Sequence, residues 1–122
     1  MKKILYVEDN LDTAEAVRII LTGVGYDVEL AHTGMEGLEK LQKNDYDLVI
    51  LDVMLPDMSG GDIFEKTVVT KKCKYVFLSI TPVDKKGRVK LLKKGVSDYI
   101  NKPFRKDDLI ERISKVVGSG GK

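Results

Sequence analysis

Leu48-Val49-Ile50-Leu51-Asp52 is an unbroken apolar run closed by a carboxylate, and Met54-Leu55-Pro56 and the Gly60-Gly61 pair follow it. Four apolar residues in a row, bounded by turn formers, read as a strand buried on both faces, as in a parallel sheet. Asp52 then stands where a buried strand opens into a loop, poorly solvated yet open to incoming ligands. That makes it a candidate nucleophile or metal ligand. The pattern recurs. Glu8-Asp9 close Ile4-Leu5-Tyr6-Val7, Ser79 closes Tyr75-Val76-Phe77-Leu78, and Lys102-Pro103 follow the run from Val96 to Ile100. Polar groups at the ends of successive short apolar runs imply one site at one edge of a sheet.

Between these runs the period changes to that of helices. Strands are predicted over 3–7, 26–31, 48–51, 74–79 and 96–100. The second alternates Val28 and Leu30 against Asp27 and Glu29, which suits a sheet edge. Asn10 or Asp12 caps a first helix with Ala14, Val17, Leu21 and Val24 in its stripe, ending at Gly23 and Gly25. Thr33 caps a second carrying Met35, Leu38 and Leu41. Further helices are predicted over 62–71, 82–94 and 105–117, although Thr67-Val68-Val69-Thr70 is a weak helix former. One domain over 1–117 and a flexible Gly/Ser-rich tail over 118–122 are expected.

The chain has 122 residues, 43% of them hydrophobic and 33% charged, the make-up of one globular domain. No window approaches the ~18 apolar residues of a membrane span, and the apolar run behind Met1-Lys2-Lys3 breaks at Glu8, too early for a signal peptide. A cytoplasmic location is expected, and the single cysteine, Cys73, fits it. His32, the one histidine, reads as a solvated loop residue. Residues 1–61 hold 12 acids and 5 bases, and residues 62–122 hold 7 acids and 16 bases, so the halves carry −7 and +9. Lys85, Lys86, Arg88, Lys90, Lys93 and Lys94 form the densest basic stretch, a solvated helix face or a footprint for an acidic partner. The stretch lacks interleaved aromatics and the chain lacks a recognisable DNA-binding motif, so no direct nucleic-acid contact is expected.

Five strands alternating with five helices predict an α/β fold, a doubly wound five-stranded parallel sheet of order 2-1-3-4-5. That order sets strands one and three side by side and brings Glu8 and Asp9 next to Asp52. Three clustered carboxylates repel one another, and repulsion and desolvation raise their pKa values. A hard divalent cation relieves this, and oxygen-only ligands point to Mg²⁺. Lys102, after strand five, is placed to add an ammonium. An acid cluster that needs a cation and a lysine suits a phosphoryl group.

The chain resembles the receiver domain of two-component response regulators, the CheY-like superfamily, over residues 2–117. The resemblance rests on Val7-Glu8-Asp9, on Asp52 with Met54-Leu55-Pro56 and Gly60, on Leu78-Ser79, and on Asp98-Tyr99 followed by Lys102-Pro103-Phe104. It implies that a sensor histidine kinase or small phosphodonor phosphorylates Asp52, without ordinary enzymatic turnover. Glu8, Asp9, Asp52 and the backbone carbonyl of Met54 would serve Mg²⁺, with Mn²⁺ as a substitute. Ser79 and Lys102 would contact the phosphoryl group, an aromatic switch would fall on Tyr99, and the Lys102-Pro103 bond would be cis. A phosphatase of the haloacid-dehalogenase type would carry a second Asp where Met54 stands.

One departure stands out. Ile80 occupies the position where this family usually has a small residue, and it is expected to crowd the pocket mouth and slow phosphoryl exchange. No DNA-binding region follows Val117, so a stand-alone regulator is expected. Its output would be binding of a downstream protein through the fourth helix, fifth strand and fifth helix.

Overall fold

A computed structural model of the chain describes residues 1–118. The strands are β1 (Lys3–Val7), β2 (Asp27–Ala31), β3 (Leu48–Leu51), β4 (Lys74–Ser79) and β5 (Asp98–Asn101). The helices are α1 (Leu11–Gly23), α2 (Gly34–Lys43), α3 (Gly60–Thr67), α4 (Lys85–Lys94) and α5 (Lys106–Val117). All four strand pairings are parallel and the order is β2-β1-β3-β4-β5, the predicted doubly wound sheet.

Successive side chains of a strand point to opposite faces, so each apolar run feeds two cores. Ile4, Tyr6, Leu48, Ile50, Val76 and Leu78 pack beneath Ala14, Val17 and Leu21 of α1 and Leu109 and Ile113 of α5. Leu5, Val7, Val49, Leu51, Tyr75 and Phe77 face Leu41 of α2 and Ile63 and Phe64 of α3. This double coverage explains why β1 and β3 read as unbroken apolar runs. The alternating β2 lies at the sheet edge and is only half-buried along most of its length.

Several boundaries differ from the periodic reading, each for a local reason. Asn10, not Asp12, caps α1, accepting from the Thr13 amide at 2.9 Å. Ser59 and Asp62 form a capping box that starts α3 at Gly60, and the helix ends at Thr67. The Thr67 hydroxyl donates to the Ile63 carbonyl at 2.8 Å and lies 2.6 Å from the Tyr75 hydroxyl. The weak run Val68-Val69-Thr70 is left as a turn. Helix α4 begins at Lys85 because Asp84 caps it, accepting from the Gly87 amide at 2.7 Å. Met35 does not belong to the buried stripe of α2. It is 54% exposed, and Gly34, Gly37 and Leu41 form the buried face. The predicted flexible tail, apart from Gly118, lies outside the described residues.

Candidate functional site

Parallel strands bring all their carboxyl ends to one edge, and the four apolar runs of β1, β3, β4 and β5 deliver their polar termini there. β1 pairs with β3 through Val7 and Leu51, so the residues that follow, Glu8 and Asp52, become neighbours. Both are buried. The Lys102 ammonium reaches between them, donating to Oε1 of Glu8 and, at 3.2 Å, to Oδ2 of Asp52. The Ser79 hydroxyl donates to Oδ1 of Asp52 at 3.1 Å, and the Met54 amide donates to the same oxygen at 3.3 Å. Glu8 also accepts from the Tyr6 hydroxyl at 2.9 Å and from the Asn10 amide at 3.1 Å.

Gly60 makes room for the loop after β3. A Cβ there would stand 2.0 Å from the Asp52 carbonyl oxygen, closer than any side chain tolerates, and the Gly60 amide instead donates to the Val53 carbonyl at 2.8 Å.

Charge in this pocket is held at a cost. Burial pushes the Asp52 carboxyl above the usual aspartate range, the Glu8 charge adds to the shift, and Lys102 opposes it. Burial likewise pushes the Tyr6 phenol far above its ordinary value, reinforced by Glu8, so Tyr6 remains a donor.

Asp9 is exposed at the rim. Glu8, Asp9 and Asp52 each offer a carboxylate oxygen, and these oxygens lie within 4.8 Å of one another. An all-oxygen set of this size fits a hard divalent cation, with water in the remaining positions.

The remaining predicted residues lie around this centre. Tyr99 is buried beside Phe77, and its hydroxyl donates to the Thr81 carbonyl. Thr81 in turn donates its amide to Ser79 Oγ at 3.2 Å. The Lys102-Pro103 bond is cis. Ile80 is 75% exposed. It stands in no close-packed wall, so the packing argument for a blocked mouth does not hold.

Sequence reasoning missed four participants. Tyr6 reads as core, although a spacing of two from Glu8 along a strand places both on one face. Thr81 carries no signal of its own, and neither does Asp57, whose carboxylate accepts from the Gly34 and Met35 amides at the start of α2 at 2.8 and 2.9 Å. His32 is not a solvated loop residue: it is half-buried, and its Nδ1 donates to the Glu8 carbonyl at 3.0 Å.

The chain matches the family model described as response regulator receiver domain over residues 4–114. Among curated proteins it is similar to the cell cycle transcriptional regulator CtrA of Caulobacter vibrioides, 36% identical over 115 residues, 94% of this chain and 50% of that protein. It is also similar to the transcriptional regulatory protein CusR of Escherichia coli, 37% identical over 118 residues, 97% of this chain and 52% of that protein. The chain thus spans about half the length of the curated relatives it matches. A solved CheY-like receiver domain protein from Methanospirillum hungatei JF-1 is 33% identical with a TM-score of 0.84, over 94% of this chain and 92% of that one. The response regulator TrrA of Thermotoga maritima, solved in complex with Mg²⁺-BeF, is 32% identical with a TM-score of 0.83, over 95% of this chain and 99% of that one.

Proposed function

The chain belongs to the response regulator receiver domain family, and we propose that it is a phospho-acceptor switch with Asp52 as the phosphorylated residue. The observation that carries this reading is the convergence of Lys102 and Ser79 on the two oxygens of one buried carboxylate. An Asp52 oxygen forms the new O–P bond as the P–N bond of a histidine kinase, or the P–O bond of a small donor, breaks. Lys102 then takes up a charged phosphoryl oxygen and the Ser79 hydroxyl another. Mg²⁺, or Mn²⁺ in its place, supplies positive charge for the transferring oxygens when held by Glu8, Asp9, Asp52 and the Met54 carbonyl.

Transmission away from the site runs through contacts already in place. Ser79 Oγ accepts from the Thr81 amide, and the Thr81 carbonyl accepts from the Tyr99 hydroxyl. A Ser79 hydroxyl drawn toward a phosphoryl oxygen pulls on the Thr81 backbone and so on Tyr99. The Tyr99 carbonyl accepts from Arg88 of α4 at 3.0 Å and from Arg112 of α5 at 3.3 Å. The output surface is therefore α4, β5 and α5.

This surface engages a protein partner in the cytoplasm, without direct nucleic-acid or membrane contact. No helix among the described residues is long and apolar enough to cross a membrane. Five lysines line α4 with no acid among them, which favours an acidic partner face.

Incubation with acetyl phosphate and a divalent cation, followed by intact mass measurement, tests the reading. A gain of one phosphoryl group on the wild type and none on Asp52→Asn is expected. Catalytic turnover of the donor without a phosphorylated species would instead indicate a phosphatase, and no reaction would indicate an unmodified adaptor.

A further inference from the structure

Two separate loops supply the candidate cation ligands, Glu8 and Asp9 after β1, and Asp52 and Met54 after β3. We propose that Asp57 and His32 are positioning residues that brace these two loops against one shared segment, His32 to Met35 at the start of α2, and thereby set the cation affinity. The proposal rests on the reading of Glu8, Asp9 and Asp52 as a cation site.

One arm of the brace comes from the loop after β3. The Asp57 carboxylate crosses to α2 and accepts from the Gly34 amide at 2.8 Å and the Met35 amide at 2.9 Å. These are first-turn amides that lack partners within their own helix, and a carboxylate there also meets the positive end of the helix dipole. The same two amides hold the Asp57 carboxyl below the usual aspartate range, so this arm stays charged throughout the neutral range. Gly34 permits the approach, because a Cβ on it would stand 2.2 Å from Met58 Cγ. Within the loop, the Leu55 amide donates to the Met58 carbonyl at 3.2 Å, and Met54 bridges to Ser59. Anchoring Asp57 therefore anchors the peptide that carries the Met54 carbonyl.

The other arm comes from the far end of the same segment. The His32 amide donates to Glu36 at 2.8 Å, tying the residue to α2. Its ring Nδ1 lies 3.0 Å from the Glu8 carbonyl. A carbonyl only accepts, so Nδ1 carries the proton. That carbonyl belongs to the peptide leading into Asp9, and Asp9 is itself exposed. Restraint of this peptide by His32 adds to that of the Asn10 amide on Glu8 in limiting where the Asp9 carboxylate can lie. Neither His32 nor Asp57 is a ligand, yet each fixes the backbone of one.

Groups that hold metal ligands in place typically govern metal affinity by 10–100-fold. Manganese(II) binding, read from the free-ion EPR signal at pH 8, tests the brace directly. Asp57→Ala and His32→Ala are each expected to weaken Mn²⁺ binding by about tenfold or more. Asp57→Ala also loses two bonds to the start of α2 and should melt lower in EDTA, so binding is measured at a temperature where every variant is fully folded. Asp57→Asn retains one acceptor oxygen and should fall between Asp57→Ala and the wild type, and it also serves if Asp57→Ala does not fold. Wild-type affinity in both Ala variants, with binding abolished in Asp9→Asn, overturns the brace and leaves the cation site standing. Weakening in Asp57→Ala alone also overturns it, since loss of one negative charge then suffices. Unchanged binding in Asp9→Asn overturns the cation site itself.

Discussion

Asp52 and Glu8 share one water-poor pocket and one ammonium, and the consequence appears in the pH dependence. The folded pKa of Asp52 lies above its unfolded value, mainly through burial. Below the ordinary aspartate pKa of about 3.9 both states are protonated and this group has no effect. As pH rises through the folded value the native state must hold an unfavourable charge, and stability falls. In EDTA, Asp52→Asn is therefore expected to melt higher than wild type at pH 7, with the difference shrinking toward pH 4. A lower midpoint for Asp52→Asn at pH 7 would show that the Lys102 pairing outweighs burial. Ile80 affects a rate instead. Its side chain directly follows Ser79 and is largely exposed, so it can hinder an approaching water without blocking it, and Ile80→Ala is expected to speed decay of the phosphorylated form severalfold. That is well short of the ~100-fold that follows when a reacting group is misplaced by about 1 Å. Equal decay rates would place Ile80 clear of the approaching water. The acids, Ser79 and Lys102 were legible in the sequence because each ends an apolar run. His32 and Asp57 were not, because their partners are backbone groups 24 and 22–23 positions away.

Helices α3 and α4 differ in how they are held. Gly60, Ile63, Phe64 and Thr67 of α3 are buried, so its cap contributes to the stability of the whole domain. Ser59→Ala should lower global stability by ~1 kcal/mol in denaturant melts. No residue of α4 is buried, and Val89 and Leu92 are each 45% exposed. Leu91 packs partly against the core. Besides an exposed Lys94–Glu65 pair at 3.5 Å, polar anchoring comes from Arg88, which donates to Asp98 at 2.6 Å and to the Tyr99 carbonyl at 3.0 Å, while Arg112 holds the same carboxylate from α5 at 2.8 and 2.9 Å. A hydrogen bond to a charged group contributes about 1.5–3 kcal/mol. Arg88→Ala should therefore speed amide exchange within Lys85–Lys94 by roughly tenfold or more, leaving β1, β3 and β4 unchanged. Uniform acceleration across the sheet would show that α4 is part of the global folding unit. The helical period identified both elements. The basic run marked one face of α4 as solvated, and the structure adds that no residue of the helix is fully buried.

At the scale of the molecule, the strand order sets the site and the charge pattern together. The −7 half supplies β1, β2, β3 and the carboxylates, and the +9 half supplies α4 and Lys102. A divalent cation that binds only the folded chain stabilises it by mass action, by about 2.7 kcal/mol at a hundredfold excess over Kd. For a domain of this size that is a rise in melting midpoint on the order of 10 °C. Mg²⁺ titration of the midpoint should show it in wild type and lose it in Asp9→Asn. An unmoved wild-type midpoint would argue against the cation site. Association through α4 with an acidic partner should slow steeply with salt, because exposed charges are screened over about 8 Å at physiological ionic strength. Charge reversal at Lys90 and Lys93 without effect on binding would place the interface elsewhere. The sequence by itself determined the elements and the edge at which the polar termini gather, since the period of apolar residues depends only on local backbone geometry. It also determined the acid cluster, because parallel pairing in the 2-1-3-4-5 order admits one set of neighbours at the switch point. Only the tertiary structure decided the hydrogen-bond partners: Lys102 shared by Glu8 and Asp52, Thr81 between Ser79 and Tyr99, and Asp57 and His32 on either side of the α2 start. Such contacts join residues distant in the chain through directional bonds about 3 Å long, and no periodicity encodes where two loops will come that close.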